Sequence, residues 1–175
     1  MKLMDTVKNS SHIVEKALAI TPEKKGDMDI LDKLHKEHEE VKALLKQLVE
    51  SESAPTRKSL LKKVKLALVP HARAEEKVVY DPILRQKDKE AKINGEEGYL
   101  EHALADKMVL TLSKIRNATS PEFTAAAKVL KELIEHHIKE EESDIWKDVR
   151  EYFNDEERIE MNRKFELAKK KVRVA

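Results

Sequence analysis

Two stretches of the sequence place a histidine four residues before a glutamate. His71 precedes Glu75 in "HARAEEKVVY", and His137 precedes Glu141 in "HIKEEESDIW". Residues i and i+4 lie one above the other on a helix, so an imidazole and a carboxylate at this spacing can bind the same cation. A single pair of this kind is a weak signal in a chain rich in glutamate, but the repeated pattern is more specific.

Each pair is preceded, earlier in the chain, by a further histidine, so the pattern His … His-x3-Glu occurs twice. These two histidines are His38 and His102. All six residues fall at positions that helical periodicity assigns to the apolar face; His38, for example, lies on the stripe of Leu34 and Val41. Burying two carboxylates costs several kcal/mol unless cations compensate them.

Two metal ions fit this set better than one. In this interpretation Glu75 and Glu141 bridge the ions, and the four histidines bind them terminally. With a solvent-derived bridge, each ion keeps an open position for a small ligand. The alternative is a set of core histidines that only form hydrogen bonds to neighbouring acids. Nitrogen and oxygen ligands without thiolate suit iron, manganese or zinc.

The composition favours long helices with charged, solvated surfaces. Charged residues make up 39% and aromatic residues 4%, with three glycines and no cysteine. Acids and bases nearly cancel, at 34 against 35, so we expect neither nucleic acid nor membrane as a partner. The sequence lacks a signal peptide pattern and an apolar run of membrane-spanning length. We therefore predict a cytoplasmic, all-α protein.

Periodicity and capping signals predict the helices that hold these residues. We expect kinks at Pro70 and Pro82, and a polar connection at 88–98. Asp27 or Asp29, Ser120 and Asn154 are predicted N-caps. The predicted helices cover about 4–20, 29–53, 56–87, 99–117, 120–153 and 154 to the end.

Four central helices with short links predict an up-down four-helix bundle over residues 27–153. Residues 1–26 form a predicted N-terminal helical extension, and 154–175 a C-terminal helix. These flanking helices are expected to pack on the bundle or on a partner chain, which leaves a homodimer open.

Other polar residues near the pattern have weaker predicted roles. His35 and His136 each have a glutamate at +4 and are either surface residues or a fifth histidine ligand. Asp106 is a candidate acceptor that orients an imidazole. The remaining residues are predicted to be core (Tyr80, Trp146) or solvated (His12, Glu76, Glu142).

The pattern resembles the haemerythrin-like HHE cation-binding domain over about residues 29–153. "HARAEEKVVYDPIL", "GYLEHALADKMV" and "EHHIKEEES" are similar to that family's helix motifs. The resemblance implies a four-helix bundle with two non-haem iron ions, an oxo, hydroxo or water bridge, and a diatomic ligand such as oxygen. The implied ligands are His38, His71, Glu75, His102, His137 and Glu141.

Three functions follow from these residues. One is a binding protein or sensor for oxygen, nitric oxide or iron. A second is a di-iron enzyme for peroxide or nitric oxide detoxification or iron-centre repair, which would use the same ligands. The third is a metal-free helical interaction module. The sequence does not decide whether the protein is an enzyme.

Overall fold

A computed structural model describes residues 27–174 of the chain, and these residues fold into α-helices with no β-strand among them. Two of the helices run directly into five-residue π-helical turns, Glu76–Tyr80 and Glu141–Ile145. The α-helices are α1 (Ile30–Glu50), α2 (Ala54–Glu75), α3 (Asp81–Leu84), α4 (Lys89–Lys114), α5 (Pro121–Glu140), α6 (Trp146–Tyr152) and α7 (Asp155–Lys169). The predicted helix at 4–20 lies outside the described residues.

The predicted N-caps are confirmed where the structure describes them. The Asp29 carboxylate accepts a hydrogen bond from the backbone of Leu31 and begins α1. The Ser120 hydroxyl does the same at α5, where Pro121 occupies the first helical position. Asn154 and Glu157 form a reciprocal capping box at α7. These contacts satisfy backbone donors that have no partner within the helix.

The prediction of a polar connection at 88–98 was wrong, because α4 already begins at Lys89. The Asp88 carboxylate caps it by accepting from the Ala91 backbone. Gly98, the last residue of the predicted connection, disfavours a helix in the sequence. Its small size is needed, since an added Cβ would lie 2.6 Å from Cε2 of the Tyr80 ring. The glycine therefore marks close helix packing rather than a loop.

The two longest predicted helices, 56–87 and 120–153, are each interrupted by a π turn. The helix continues through Pro70, whereas Pro82 lies in the first turn of α3. The interruption at Glu76–Tyr80 thus falls between the two expected kinks. π turns of this kind occur frequently at functional sites.

The helices enclose two clusters of apolar side chains. α1 packs against α2 and α5, α4 packs against α5 and α2, and α7 lies on α1 and α2. On α1, His38 lies between Leu34 of one cluster and Val41 of the other. Ile134 and Ile145 flank His137 in the same way. The polar residues therefore occur where the two apolar clusters meet. Within the described residues, none of the helices combines the length and the hydropathy needed to span a membrane.

Candidate metal centre

All six predicted site residues are buried and their side chains converge. None is more than 5% exposed. Glu75 Oε2 lies 3.4 Å from Nε2 of His71 and 3.5 Å from Nε2 of His102. Glu141 Oε2 lies 3.4 Å from Nε2 of both His38 and His137. Each carboxylate therefore contacts the histidine one turn away on its own chain segment and a second histidine from another helix.

Two overlapping groups of ligand atoms share one carboxylate. Donor atoms of His38, His71 and Glu75 lie within 4.8 Å of one another, and so do those of Glu75, His102 and His137. Three donors within this distance can hold one cation. A carboxylate common to both groups is suited to bridge two cations.

Each central imidazole is oriented by a glutamate on its outer side. An ionised carboxylate only accepts hydrogen bonds, so the Nδ1 atom must carry the proton and donate it. The opposite atom, Nε2, then faces the centre, where a metal ion can bind it in place of a proton. The four Nδ1-to-carboxylate pairs are His38–Glu142 at 2.9 Å, His71–Glu37 at 3.0 Å, His102–Glu76 at 3.1 Å and His137–Glu101 at 2.7 Å.

Two of these glutamates correct the sequence prediction. Glu76 and Glu142 were expected to be solvated, but Glu76 is 8% exposed and both accept from central imidazoles. Asp106 forms an ion pair with Arg73 instead of accepting from His102. The expected orienting role therefore belongs to glutamates and not to Asp106.

The sequence did contain a signal for the orienting glutamates. Glu37 and Glu101 each stand directly before a central histidine, at His38 and His102. Glu76 and Glu142 each stand directly after a central glutamate. Neighbouring residues on a helix point in different directions. In each of these dipeptides, one side chain faces the centre. The other accepts a hydrogen bond from a central imidazole of a different helix.

The centre contains buried polar atoms without partners among the described residues. Nε2 of His38, Oε1 of Glu75 and Oε2 of Glu141 accept or donate no hydrogen bond. Nε2 of His102 lies 3.2 Å from Nε2 of His137, so two ring nitrogens from different helices face each other at the centre. Buried unsatisfied acceptors are costly. Cations between these atoms would satisfy them, so the residues present fit a metal centre.

The surrounding carboxylates also favour the charged form of His38 and His102 when no cation is present. Burial lowers the pKa of His38, but Glu141 and Glu142 outweigh it and raise that pKa to about 10. Burial likewise opposes Glu75 and Glu76 at His102, whose pKa rises to about 9. The same negative surroundings that attract protons would attract metal ions, and the two must compete for Nε2.

Each central carboxylate also contacts an aromatic side chain across its π turn. Tyr80 Oη lies 3.4 Å from Glu75 Oε2, and Trp146 Nε1 lies 3.3 Å from Glu141 Oε1. In both cases the aromatic residue follows the glutamate by five positions. The wider π turn places these side chains over the carboxylates. Both are buried, as the sequence predicts, and both also make a polar contact that helical periodicity does not predict.

An apolar cavity of about 20 Å³ adjoins the four imidazoles. A volume of this size holds roughly one water-sized molecule. His35 and His136, the two candidates for a fifth ligand, do not line this cavity: their imidazoles are 55% and 59% exposed and contact Glu142 and Glu140. Neither belongs to the converging set. The aliphatic walls are Val41, Leu68, Ala72, Ala105, Val109, Ile134 and Ile138.

Buried histidines and glutamates that converge from several helices define a helical metal-binding domain. The model of the family described as "Hemerythrin HHE cation binding domain" matches residues 29–159, which is most of the chain. The protein therefore belongs to this family. The family resemblance predicted from the motifs is confirmed.

A curated relative is a DNA nickase from Nostoc sp. (strain PCC 7120 / SAG 25.82 / UTEX 2576), with 26% identity over 148 residues. The match spans 85% of this chain but 41% of the relative. Less than half of the nickase therefore corresponds to the present chain. No solved structure matches the chain.

Proposed function

We propose that this protein is a non-haem di-iron protein that binds or senses oxygen, or another small diatomic ligand, inside an up-down four-helix bundle. The bundle would comprise residues 27–153, with α7 as part of a C-terminal segment at 154–175. The proposed ligands are Glu75 and Glu141 as bridges, with His38, His71, His102 and His137 as terminal ligands.

The chain's own groups would hold the metals by charge and by preset orientation. Glu75 and Glu141 are less than 2% exposed, so their negative charges are poorly screened by water. The Nδ1–H groups are already bonded to glutamates, which fixes the ring orientation before any metal binds. Two ferrous ions in this environment would supply the electrons needed to bind or reduce a diatomic molecule.

The observation that carries the choice of ligand is the cavity beside the imidazoles. Seven aliphatic side chains line it together with the four imidazoles and Asp106, and it has room for roughly one small molecule. The aliphatic side chains, which make up most of the lining, offer no hydrogen bonds to competing water or anions. A neutral diatomic molecule loses little hydration free energy when it enters such a space, whereas the desolvation of a charged substrate would cost much more.

Oxygen exposure of the reduced protein tests this proposal. Metal-free protein is loaded anaerobically with Fe²⁺, and its visible spectrum is recorded before and after addition of oxygen. We expect a new absorption band in the wild type and a much weaker one in a His71→Ala variant. Loss of the band on removal of oxygen would indicate reversible binding. An unchanged wild-type spectrum would contradict the proposal.

A di-iron enzyme is the alternative, and two observations favour it. Only four imidazoles converge, so the ions would keep more open positions than a centre with five. Tyr80 and Trp146, whose side chains can be oxidised, contact the two central carboxylates. Steady-state consumption of hydrogen peroxide or nitric oxide, absent in His71→Ala, would support the enzyme. Oxygen binding without turnover would support the carrier or sensor.

The name of the Nostoc relative raises DNA cleavage as a further activity, but the site geometry does not favour it. A nuclease must bring a phosphodiester to its metals. Here the six central residues are at most 5% exposed, and the adjoining cavity of about 20 Å³ is too small for a sugar-phosphate unit.

A further inference from the structure

A second group of metal-binding side chains lies at the surface, next to the buried centre. Glu101, His136 and Glu140 each offer one donor atom, and these atoms lie within 4.8 Å of one another. His136 Nε2 is 3.3 Å from Glu140 Oε1 and 3.8 Å from Glu101 Oε1. The imidazole is 59% exposed and the Glu140 side chain 39%, so a cation in solution can reach them.

One carboxylate joins this surface group to the centre. Oε1 of Glu101 faces His136, while its Oε2 accepts a hydrogen bond from Nδ1 of His137 at 2.7 Å. Glu101 is 12% exposed. Glu101 therefore lies between solvent and the His137 imidazole. A cation held by His136 and Glu140 would already be next to the carboxylate that orients His137.

A small cavity is lined both by the carboxylates of the surface group, Glu101 and Glu140, and by residues of the centre. Its volume is about 20 Å³, roughly the space of one water molecule. The surface acids Glu97, Glu101, Glu140 and Asp144 line it, and so do the central His137 and Glu141. Glu141 Oε2 is buried and has no hydrogen-bond partner. No lysine or arginine is among the described residues that line this cavity, so its field attracts cations along its length.

In the other half of the repeat, the face around Glu37 that corresponds to the surface group is blocked by other side chains. Glu37 is the counterpart of Glu101, but its carboxylate pairs with Lys169 at 2.5 Å and with Lys33 at 2.9 Å. Phe165 of α7 packs edge-on against His71, with ring centroids 5.7 Å apart. Pro70 stands where His136 would be expected. Two lysines and an aromatic ring thus block the face that the repeat would otherwise make equivalent.

We propose that Glu101, His136 and Glu140 form a docking site for a divalent metal ion at the entrance to the buried centre. This inference rests on the proposed function. The site captures the hydrated ion from solution. The carboxylates along the cavity then replace its water as it passes to Glu141 and His137. The central residues determine how many ions are held, and the docking site determines how fast they arrive.

The rate of metal uptake tests the docking site. Metal-free protein is mixed with Co²⁺ in a stopped-flow instrument, and the visible absorption of the bound ion is followed. We expect His136→Ala/Glu140→Gln to load about tenfold more slowly than wild type, within the range by which local charge changes on-rates. Its final occupancy, measured by elemental analysis, should equal that of wild type. Glu101 is left intact because it also positions His137.

The chain offers a matched control on another face. His35 and Glu39 have the same residue types, the same spacing and similar exposure, at 55% and 53%. His35 also contacts an acid that supports a central imidazole, namely Glu142. His35→Ala/Glu39→Gln should load at the wild-type rate. Equal slowing in both double variants would mean that the effect passes through the supporting acids, and this would overturn the docking site.

A single variant separates ligation from charge. His136→Ala removes the nitrogen donor and keeps both carboxylates of the group, so slower loading would support direct binding by His136. If Glu140→Gln loads slowly but His136→Ala does not, the proposal would be overturned. The negative field of the carboxylates would then explain metal uptake without binding by His136. Equal rates in all variants with full occupancy would overturn only the docking site. A wild-type chain that takes up no metal would overturn the proposed function and this inference together.

Discussion

Glu142 accepts a hydrogen bond from His38 Nδ1 at 2.9 Å, although the two residues are 104 positions apart in the chain. This contact joins α1 to the π turn after α5. The His38 contact lowers the pKa of Glu142 to about 2, so the acid stays ionised and the imidazole keeps its proton on Nδ1. Nε2 is therefore directed at the centre, where a metal ion can replace its proton.

Replacing this acid should weaken metal binding without abolishing it. In Glu142→Gln the neutral amide holds His38 less firmly, and supporting residues of this kind contribute about 10–100-fold to metal affinity. Competition titration with a chromophoric chelator measures the change. Glu151→Gln, an exposed acid on α6, should bind as wild type does. Equal affinity in both variants would show that Glu142 does not orient the ligand.

Two glycines of α4 offer a second test, of helix packing beside the centre. A Cβ at Gly98 would lie 2.6 Å from the Tyr80 ring, whereas one at Gly95 would lie 3.1 Å from the flexible end of Leu84. Gly98→Ala should lower the free energy of unfolding by about 1–3 kcal/mol, as overpacking does. Gly95→Ala should be near neutral because alanine also favours the helix.

Chemical denaturation of both glycine variants provides the measurement. Tyr80 contacts Glu75 and stacks on His102, with ring centroids 5.3 Å apart. We therefore also expect Gly98→Ala, and not Gly95→Ala, to lower metal affinity. Equal stability of the two variants would show that Tyr80 can move away without cost.

The stability of the metal-free protein should depend on pH in two directions. The pKa of His38 is raised from 6.5 to about 10, so its stabilising contribution is complete below pH 6.5 and is lost as pH rises through 10. The pKa of Glu142 is lowered from 4.5 to about 2, so its contribution is complete above pH 4.5 and is lost as pH falls through 2. Maximum stability should fall between pH 4.5 and 6.5.

Thermal unfolding across pH 2–10 checks this expectation. Metal ions must displace the protons from the imidazoles, so loading should stabilise the protein more at pH 9 than at pH 6. A metal-free protein that becomes steadily more stable from pH 6 to pH 9 would contradict the charged state assigned to His38.

The positions of the six central residues could be predicted because each interrupts an apolar stripe. Helical periodicity alone places His38 on the same face as Leu34 and Val41. Because that face is apolar, His38 is expected to be buried with it. The family also followed from the motifs. The role of these residues as metal ligands stays a prediction.

The supporting glutamates could not be predicted in the same way, because their partners come from other helices. Glu142 reads as a surface acid next to Glu141, and only the packing of α1 against α5 brings it to His38. Gly98 was misleading for a related reason. A glycine suggests a loop, but here the Tyr80 ring from a different element occupies the space that a Cβ at Gly98 would take.

The most direct test of a cation-filled centre is the metal content of the purified protein. Elemental analysis of wild type should give about two iron ions per chain, since two buried carboxylates and four imidazoles require cations to compensate them. Glu75→Gln/Glu141→Gln should lose both ions, whereas the exposed-acid variant Glu96→Gln should keep them. A wild-type protein without stoichiometric metal, or a double variant that retains both ions, would contradict the proposed centre.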